Sequence, residues 1–193
     1  MPNSSNFDRI TQNILEEIRN TLMQISPDDV DELVREIMKS KQIFVAGAGR
    51  SGLVMRCFAM RLMQLGLNVH VVGETTSPAL ESGDVLLIGS GSGKTERLIN
   101  YAKLAGKAKA RLAIATTNPV TPIARLADVV ISIPAPTPKS SQDKTSQKSH
   151  SDQPMGTLFE QNLGIMLDAC IMILMERLKK SDDEMFSRHA NLE

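Results

Sequence analysis

Residues 43–52, IFVAGAGRSG, decide how this chain folds: a short run of apolar residues breaks into glycines and a serine, and an apolar segment of helical character, Leu53–Leu65, follows at once. A strand that ends in a glycine-rich turn and feeds a helix is the opening unit of an open parallel sheet. Four further runs of the same kind lie downstream, Val69–Val72, Val85–Ile88, Leu112–Ala115 and Val129–Ile133. They are almost continuously apolar rather than alternating, as strands covered on both faces must be. Helical segments follow the first and third at Leu53–Leu65 and Glu96–Ala105, with a short turn near Thr121–Leu126. Between Glu74 and Gly83 there is room for no helix unless the sheet reverses its winding there. The expected fold is therefore α/β: a doubly wound, five-stranded parallel sheet in a three-layer αβα arrangement, with right-handed crossovers.

Upstream, Ile10, Ile14, Ile18, Leu22 and Ile25 recur at intervals of three or four and predict an amphipathic helix. Ser26-Pro27-Asp28-Asp29 reads as the start of a second one, with Ser26 as cap and Pro27 in the first position. Downstream, residues 134–155 read as a flexible linker: Pro134 to Pro154 holds five Ser, two Thr, three Lys and four Pro, so it carries little to bury. A helix is expected from about Gly156 to Lys180, followed by a tail. Its middle, LGIMLDACIMILM, is apolar on nearly every side and must be covered. Either it is the central core helix or a second copy of the chain covers part of it. On this reading residues 1–193 form a single domain, with the two helices of 1–40 before the sheet and 156–193 after it.

Composition narrows the function classes. With 22 Lys and Arg against 22 Asp and Glu the chain is formally neutral, and it has no Trp and one Tyr. Neither a nucleic-acid surface nor an anionic membrane surface is expected from such a balance. The apolar stretch Gly164–Met175 is short for a bilayer span and contains Asp168, and the N-terminus lacks the order of a signal peptide. Cys57 and Cys170 stand alone in apolar runs, and His70, His150 and His189 are far apart, so no metal site is expected. Two buried free thiols would suit a reducing cytoplasm.

Ligands of an open parallel sheet sit beyond the carboxyl ends of its strands. Two such ends carry polar glycine-rich loops, AGAGRSG (Gly49, Arg50, Ser51) after the first strand and GSGSGKT (Ser90, Gly91, Ser92, Gly93, Lys94, Thr95) after the third. Glycine lets the backbone approach closely, helix-start amides point outward, and the serine and threonine hydroxyls add neutral donors. Together they favour a phosphate dianion over turn geometry alone. Gly47, Gly49 and Gly52 also satisfy GxGxxG, with Glu74 ending the second strand, while GSGSGKT approaches a P-loop but has Ile88 where glycine is required. A nucleotide reading therefore stays open beside the phosphosugar one.

The two loops, in this order on this sheet, resemble the sugar isomerase (SIS) family of phosphosugar-binding domains. AGAGRSGLVMRCFAMRLMQLG, VVGETTSPA, PMGTLFEQ at 154–161 and the terminal RHANLE resemble more narrowly its 6-phospho-3-hexuloisomerase branch. The resemblance implies a flavodoxin-like sheet, usually in a homotetramer. It implies interconversion of D-arabino-hex-3-ulose 6-phosphate and fructose 6-phosphate in the ribulose monophosphate pathway, without metal or nucleotide and fed by a hexulose phosphate synthase. It also places phosphate on Ser90, Ser92 and Thr95 with Ser51 nearby, and Lys94 stands where the family usually has an acid. A non-catalytic phosphosugar sensor is the alternative, since SIS folds also serve regulators.

Moving a carbonyl from C3 to C2 calls for a base, a donor to the enediolate oxygens and an anchor for the phosphate. Spacing alone makes Glu160 an ordinary acid near a helix start, favoured by the dipole; the resemblance makes it the base. His189 is on spacing a surface residue of a frayed tail, and by resemblance an acid or enediolate donor, acting in its own or a neighbouring subunit. Arg50 reads equally as a partner for a charged oxygen or a surface residue at a helix start. Glu74 and Thr75 read as sugar contacts or loop hydrogen bonds, Asn118 as a turn residue and His70 as structural.

Overall fold

The computed structural model describes residues 5–136 and 151–192. Two helices come first, α1 (Asn6–Leu22) and α2 (Pro27–Lys39). Each begins on a serine whose hydroxyl takes up a first-turn amide: Ser5 accepts from Asp8 at 3.1 Å and Ser26 from Asp29 at 3.3 Å. Then follow β1 (Ile43–Gly47), α3 (Gly49–Gln64), β2 (Val69–Val71), β3 (Val85–Gly89), α4 (Glu96–Ala108), β4 (Arg111–Thr116), β5 (Val129–Ser132), α5 (Thr157–Leu178) and α6 (Asp182–Phe186). A 3-10 turn at Ala124–Leu126 stands between β4 and β5.

The five strands form one sheet in the order β2-β1-β3-β4-β5, all parallel. Ile43 is in register with Val69 on one side and Val85 on the other. The chain leaves β1 toward β2 through α3, then crosses back over β1 to β3 without a helix. The winding reversal that the short 74–83 segment called for is therefore present, and it puts a switch point between β1 and β3.

Both faces of the sheet are covered, and side chains alternate between them. Ile43, Val45, Val85, Leu87, Ala113, Ala115, Val129 and Ile131 share one core with α2, α3 and α5. Phe44, Ala46, Leu86, Ile88, Leu112 and Ile114 share the other with Leu98, Ala102 and Ala105 of α4. Period-two burial on two faces makes each strand read as one apolar run. His70 is structural, as expected: Nε2 lies 3.0 Å from Gln42 Oε1 and the ring centroid 5.2 Å from that of Phe44.

Several boundaries differ from the sequence reading. α3 begins at Gly49, four residues before Leu53, because AGAGRSG is a helix start rather than a free loop. Cys57 is exposed, not buried: the inward stripe of α3 is Ser51, Met55, Phe58, Ala59 and Leu62, and position 57 falls off it. α5, with 22 residues, is long and apolar enough by length and composition to cross a membrane, and half of its most apolar window is buried in the protein. It packs against α1, α2 and α3, while Ile165 and Met172 remain exposed. The middle of the linker expected over 134–155, residues 137–150, lies outside the described residues.

Candidate functional site

At the switch point the carboxyl ends of β1 and β3 open into a cavity of about 330 Å³. Ala48 and Ser51 line it from the β1 side, Gly89, Ser90, Gly91, Ser92 and Thr95 from the β3 side. Met155, Gly156, Phe159 and Glu160, from the start of α5, close it.

Three helices begin on this cavity, and none of them carries a side-chain cap. The N-cap positions are Ala48 for α3, Thr95 for α4 and Gly156 for α5, each without a capping hydrogen bond. The helices that start elsewhere, α1, α2 and α6, are all capped by serine. A helix start whose amides are not taken up by its own side chain offers donors and a positive dipole end to an anion. Here three share one space, with the Ser51, Ser90, Ser92 and Thr95 residues among them.

The backbone shape of both loops follows from glycine. A methyl on Gly47 would stand 2.7 Å from Gly52 Cα, so these two glycines let strand and helix touch. Of the GxGxxG glycines, Gly47 and Gly52 serve β1–α3 packing, and Gly49 serves a left-handed backbone at φ +58°. Gly93 has φ +56°, and a methyl there would meet Thr121 Oγ1 at 2.3 Å. Its amide donates to both Ser90 O and Ser90 Oγ at 3.2 Å, which folds the loop back on itself. The Gly91 carbonyl is held by Thr116 Oγ1 at 3.1 Å and Thr117 Oγ1 at 2.8 Å.

Among the described residues one acid faces the cavity. Glu160 Oε2 accepts from Arg50 Nε at 2.5 Å, with side-chain exposures of 15% and 63%. Arg50, in the first turn of α3 and largely exposed, thereby has a carboxylate partner. It lines a second groove of about 490 Å³, together with Glu160, Leu53, Cys57, Gln161 and Ile165, that runs outward between α3 and α5.

The other expected residues fall outside the cavity wall. Gly49 is the left-handed first residue of α3, Gly93 packs on Thr121, and Lys94 is exposed with its amide 3.3 Å from Ser92 Oγ. Glu74 pairs with Arg56, and Thr75 is exposed. Asn118 Oδ1 accepts from the Val120 amide at 2.7 Å, a turn role as expected. His189 is exposed on the tail after α6, its ring 5.8 Å from that of Phe186. The neighbouring Arg188 lies against Gly66, just before β2, at the amino edge of the sheet. The tail of a chain is therefore at the opposite edge from its own cavity.

Five cavity residues were not among the candidates: Ala48 and Gly89, at the edges of the two loops, and Met155, Gly156 and Phe159. Phe159 is 1% exposed and its ring packs on Gly91, so an apolar helix position is also a site wall. Among the described residues no group of three or more His, Cys, Asp or Glu is gathered as metal ligands are.

A family model described as SIS domain matches residues 36–150. The chain is 46% identical over 190 residues to the 3-hexulose-6-phosphate isomerase of Mycobacterium gastri, covering 96% of this chain and 92% of that protein. It is 45% identical over 180 residues to the Bacillus subtilis (strain 168) protein of the same name, covering 93% and 95%. Among solved structures, a hypothetical protein of Methanococcus jannaschii superposes with a TM-score of 0.79 at 35% identity, covering 97% of this chain and 98% of that one. Its crystal structure was described as inferring a molecular function of 3-hexulose-6-phosphate isomerase.

Proposed function

We propose a function for this chain from one premise: it belongs to the SIS domain family. It is an isomerase that interconverts D-arabino-hex-3-ulose 6-phosphate and fructose 6-phosphate, a step of the ribulose monophosphate pathway whose substrate a hexulose phosphate synthase supplies. The observation that carries this reading is the meeting of Glu160 with three uncapped helix starts on one cavity. The choice of a 3-hexulose among phosphosugars is supported by the near full-length similarity to curated isomerases.

The phosphate dianion is anchored by the amides opening α3, α4 and α5 and by the hydroxyls of Ser51, Ser90, Ser92 and Thr95. Because O6 carries the phosphate, the 3-ulose cannot close a five-membered ring on C3, and it enters as the open chain. Glu160 removes the C2 proton, leaving an enediolate with its charge on O3. The O2 proton passes to O3, the C2–O2 double bond forms, and Glu160 returns its proton to C3. Arg50, beside Glu160, faces the developing negative charge. General acid–base help of this kind is worth roughly 10²–10⁴ in rate.

His189 relays the proton between O2 and O3 from a neighbouring copy, since a chain's own tail lies at the far edge. The assembly is a homo-oligomer, by family a tetramer. Exposed Leu53, Met60, Ile165 and Met172 on α3 and α5 support this, next to the groove that Glu160 and Arg50 share. The test is a coupled assay of fructose 6-phosphate formation from synthase-generated 3-hexulose phosphate, run beside a binding titration with fructose 6-phosphate. Binding without turnover would make the chain a sensor, and absence of binding would remove the reading.

A further inference from the structure

The segment that brings Met155 and Gly156 to the cavity is fastened to α1 by one carboxylate. Glu17 accepts from Ser151 Oγ at 2.6 Å, from the Asp152 amide at 2.9 Å and from Gln153 Nε2 at 2.9 Å. Both of its oxygens are engaged, Oε1 by Asp152 and Oε2 by the two side chains. Ser151 Oγ accepts in turn from the Gln153 amide at 3.1 Å, which closes the cluster. Three residues on, the Pro154 carbonyl takes up the amide and the hydroxyl of Thr157, and α5 starts.

Left to itself this strap would not hold its shape. Met155 has φ +51°, a left-handed conformation that a side chain resists. Gln153 is 9% exposed, and among the described residues nothing donates to its buried Oε1, a cost that the docked shape carries. Both features favour release, and the charge-assisted bonds to Glu17 oppose it.

We propose that Glu17 is a positioning residue for the phosphosugar cavity: by docking 151–153 on α1 it fixes Gly156, the uncapped start of α5, and through that first turn Glu160. The role rests on the phosphosugar reading above. Nothing in it requires Glu17 to touch substrate: its partners are residues 151–153, and the cavity wall begins at Met155.

Glu17→Gln is the sharp test, because an amide keeps the shape but presents a single acceptor oxygen to three donors. The full-length wild type, E17Q, E17A and S151A are compared by hydrogen exchange and by titration with inorganic phosphate and with fructose 6-phosphate. In E17Q the amides of 155–161 exchange roughly ten-fold faster, while those of β3 and α4 are unchanged. Affinity for both anions falls roughly five- to twenty-fold, and KM rises by the same factor with a smaller loss in kcat. S151A moves each quantity in the same direction by less, and it carries the test if the Glu17 variants do not fold. Unchanged exchange over 155–161 overturns the proposal, and so does faster exchange with wild-type anion affinity. A wild type that binds neither anion overturns the functional reading and this role with it. A wild type that binds, beside an E17Q that binds equally well, overturns this role alone.

Discussion

Arg50 and Glu160 are 110 residues apart in sequence, yet the Arg50 Nε–H points at Glu160 Oε2 across 2.5 Å. The first turn of α3 thereby sets the direction of an acid on the cavity wall. The acid is nearly covered while the cation is largely in water, so the pair adds little to stability and much to geometry.

Glu160→Gln removes the base and keeps the shape. Turnover should fall by roughly 10²–10⁴, while affinity for fructose 6-phosphate stays within about three-fold, because the phosphate anchors lie on other residues. Initial rates and a calorimetric titration check both halves, and retained turnover removes Glu160 as base. Arg50→Ala should lower kcat about ten- to a hundred-fold and leave the unfolding free energy within about 1 kcal/mol. Arg50→Lys should recover only part of the rate, since an ammonium lacks the Nε fork.

The anion loop allows a graded series. Ser92→Ala and Thr95→Val should each raise KM roughly ten-fold, the worth of about 1.5 kcal/mol for a hydroxyl bonded to a charged group, with kcat little changed. Gly93→Ala should do worse than either. Its left-handed backbone and the 2.3 Å approach to Thr121 Oγ1 require the loop to move, so both the melting temperature and phosphate binding should drop.

The position of His189 makes a prediction about mixtures. His189→Ala and Glu160→Gln chains should each be inactive alone. Co-expressed, they should regain activity, with about a quarter of sites restored if copies pair at random and the histidine comes from a neighbour. Inactive mixtures of well-folded chains would exclude the exchange.

The thiols should differ sharply. Cys57 is exposed on the single chain and should react with a thiol reagent faster in dilute, dissociated protein than in the assembly, whereas Cys170 should stay silent until unfolding. Burial pushes the Cys170 thiol from 9.0 up to about 12. The folded chain therefore keeps a proton that the unfolded chain releases over this range. The neutral thiol contributes its full stability below pH 9, and that contribution is lost as pH rises toward 12. Urea midpoints measured from pH 8 upward should fall, and Cys170→Ala should flatten the decline.

The sheet was legible because its strands are apolar on both faces and its two polar loops sit at strand ends. Even the absent crossover helix between β2 and β3 could be read from the length of the 74–83 segment. The start of α3 was not legible, since Gly49-Arg50-Ser51-Gly52 has loop composition and is made helical by the packing of Gly47 on Gly52. Cys57 was misplaced because an apolar run hides which stripe faces inward. Phe159 lies outside the apolar stretch 163–175 that reads as covered; that it is buried and walls the cavity depends on the Gly91 backbone coming to it from 68 residues away. The fastening of 151–153 to Glu17 left no pattern at all, being three hydrogen bonds between segments 134 to 136 residues apart.

The three bare helix starts have a thermal consequence. A serine or aspartate in such a position typically stabilises a protein by about 1 kcal/mol, and here that gain is forgone three times around the same few ångströms. A bound anion adds back what the missing caps forgo, so the melting temperature should rise with the concentration of sugar phosphate. A variant hardened at Ala48 with serine would melt later and hold its metabolite less tightly, so heat resistance and ligand retention pull against each other at that one position.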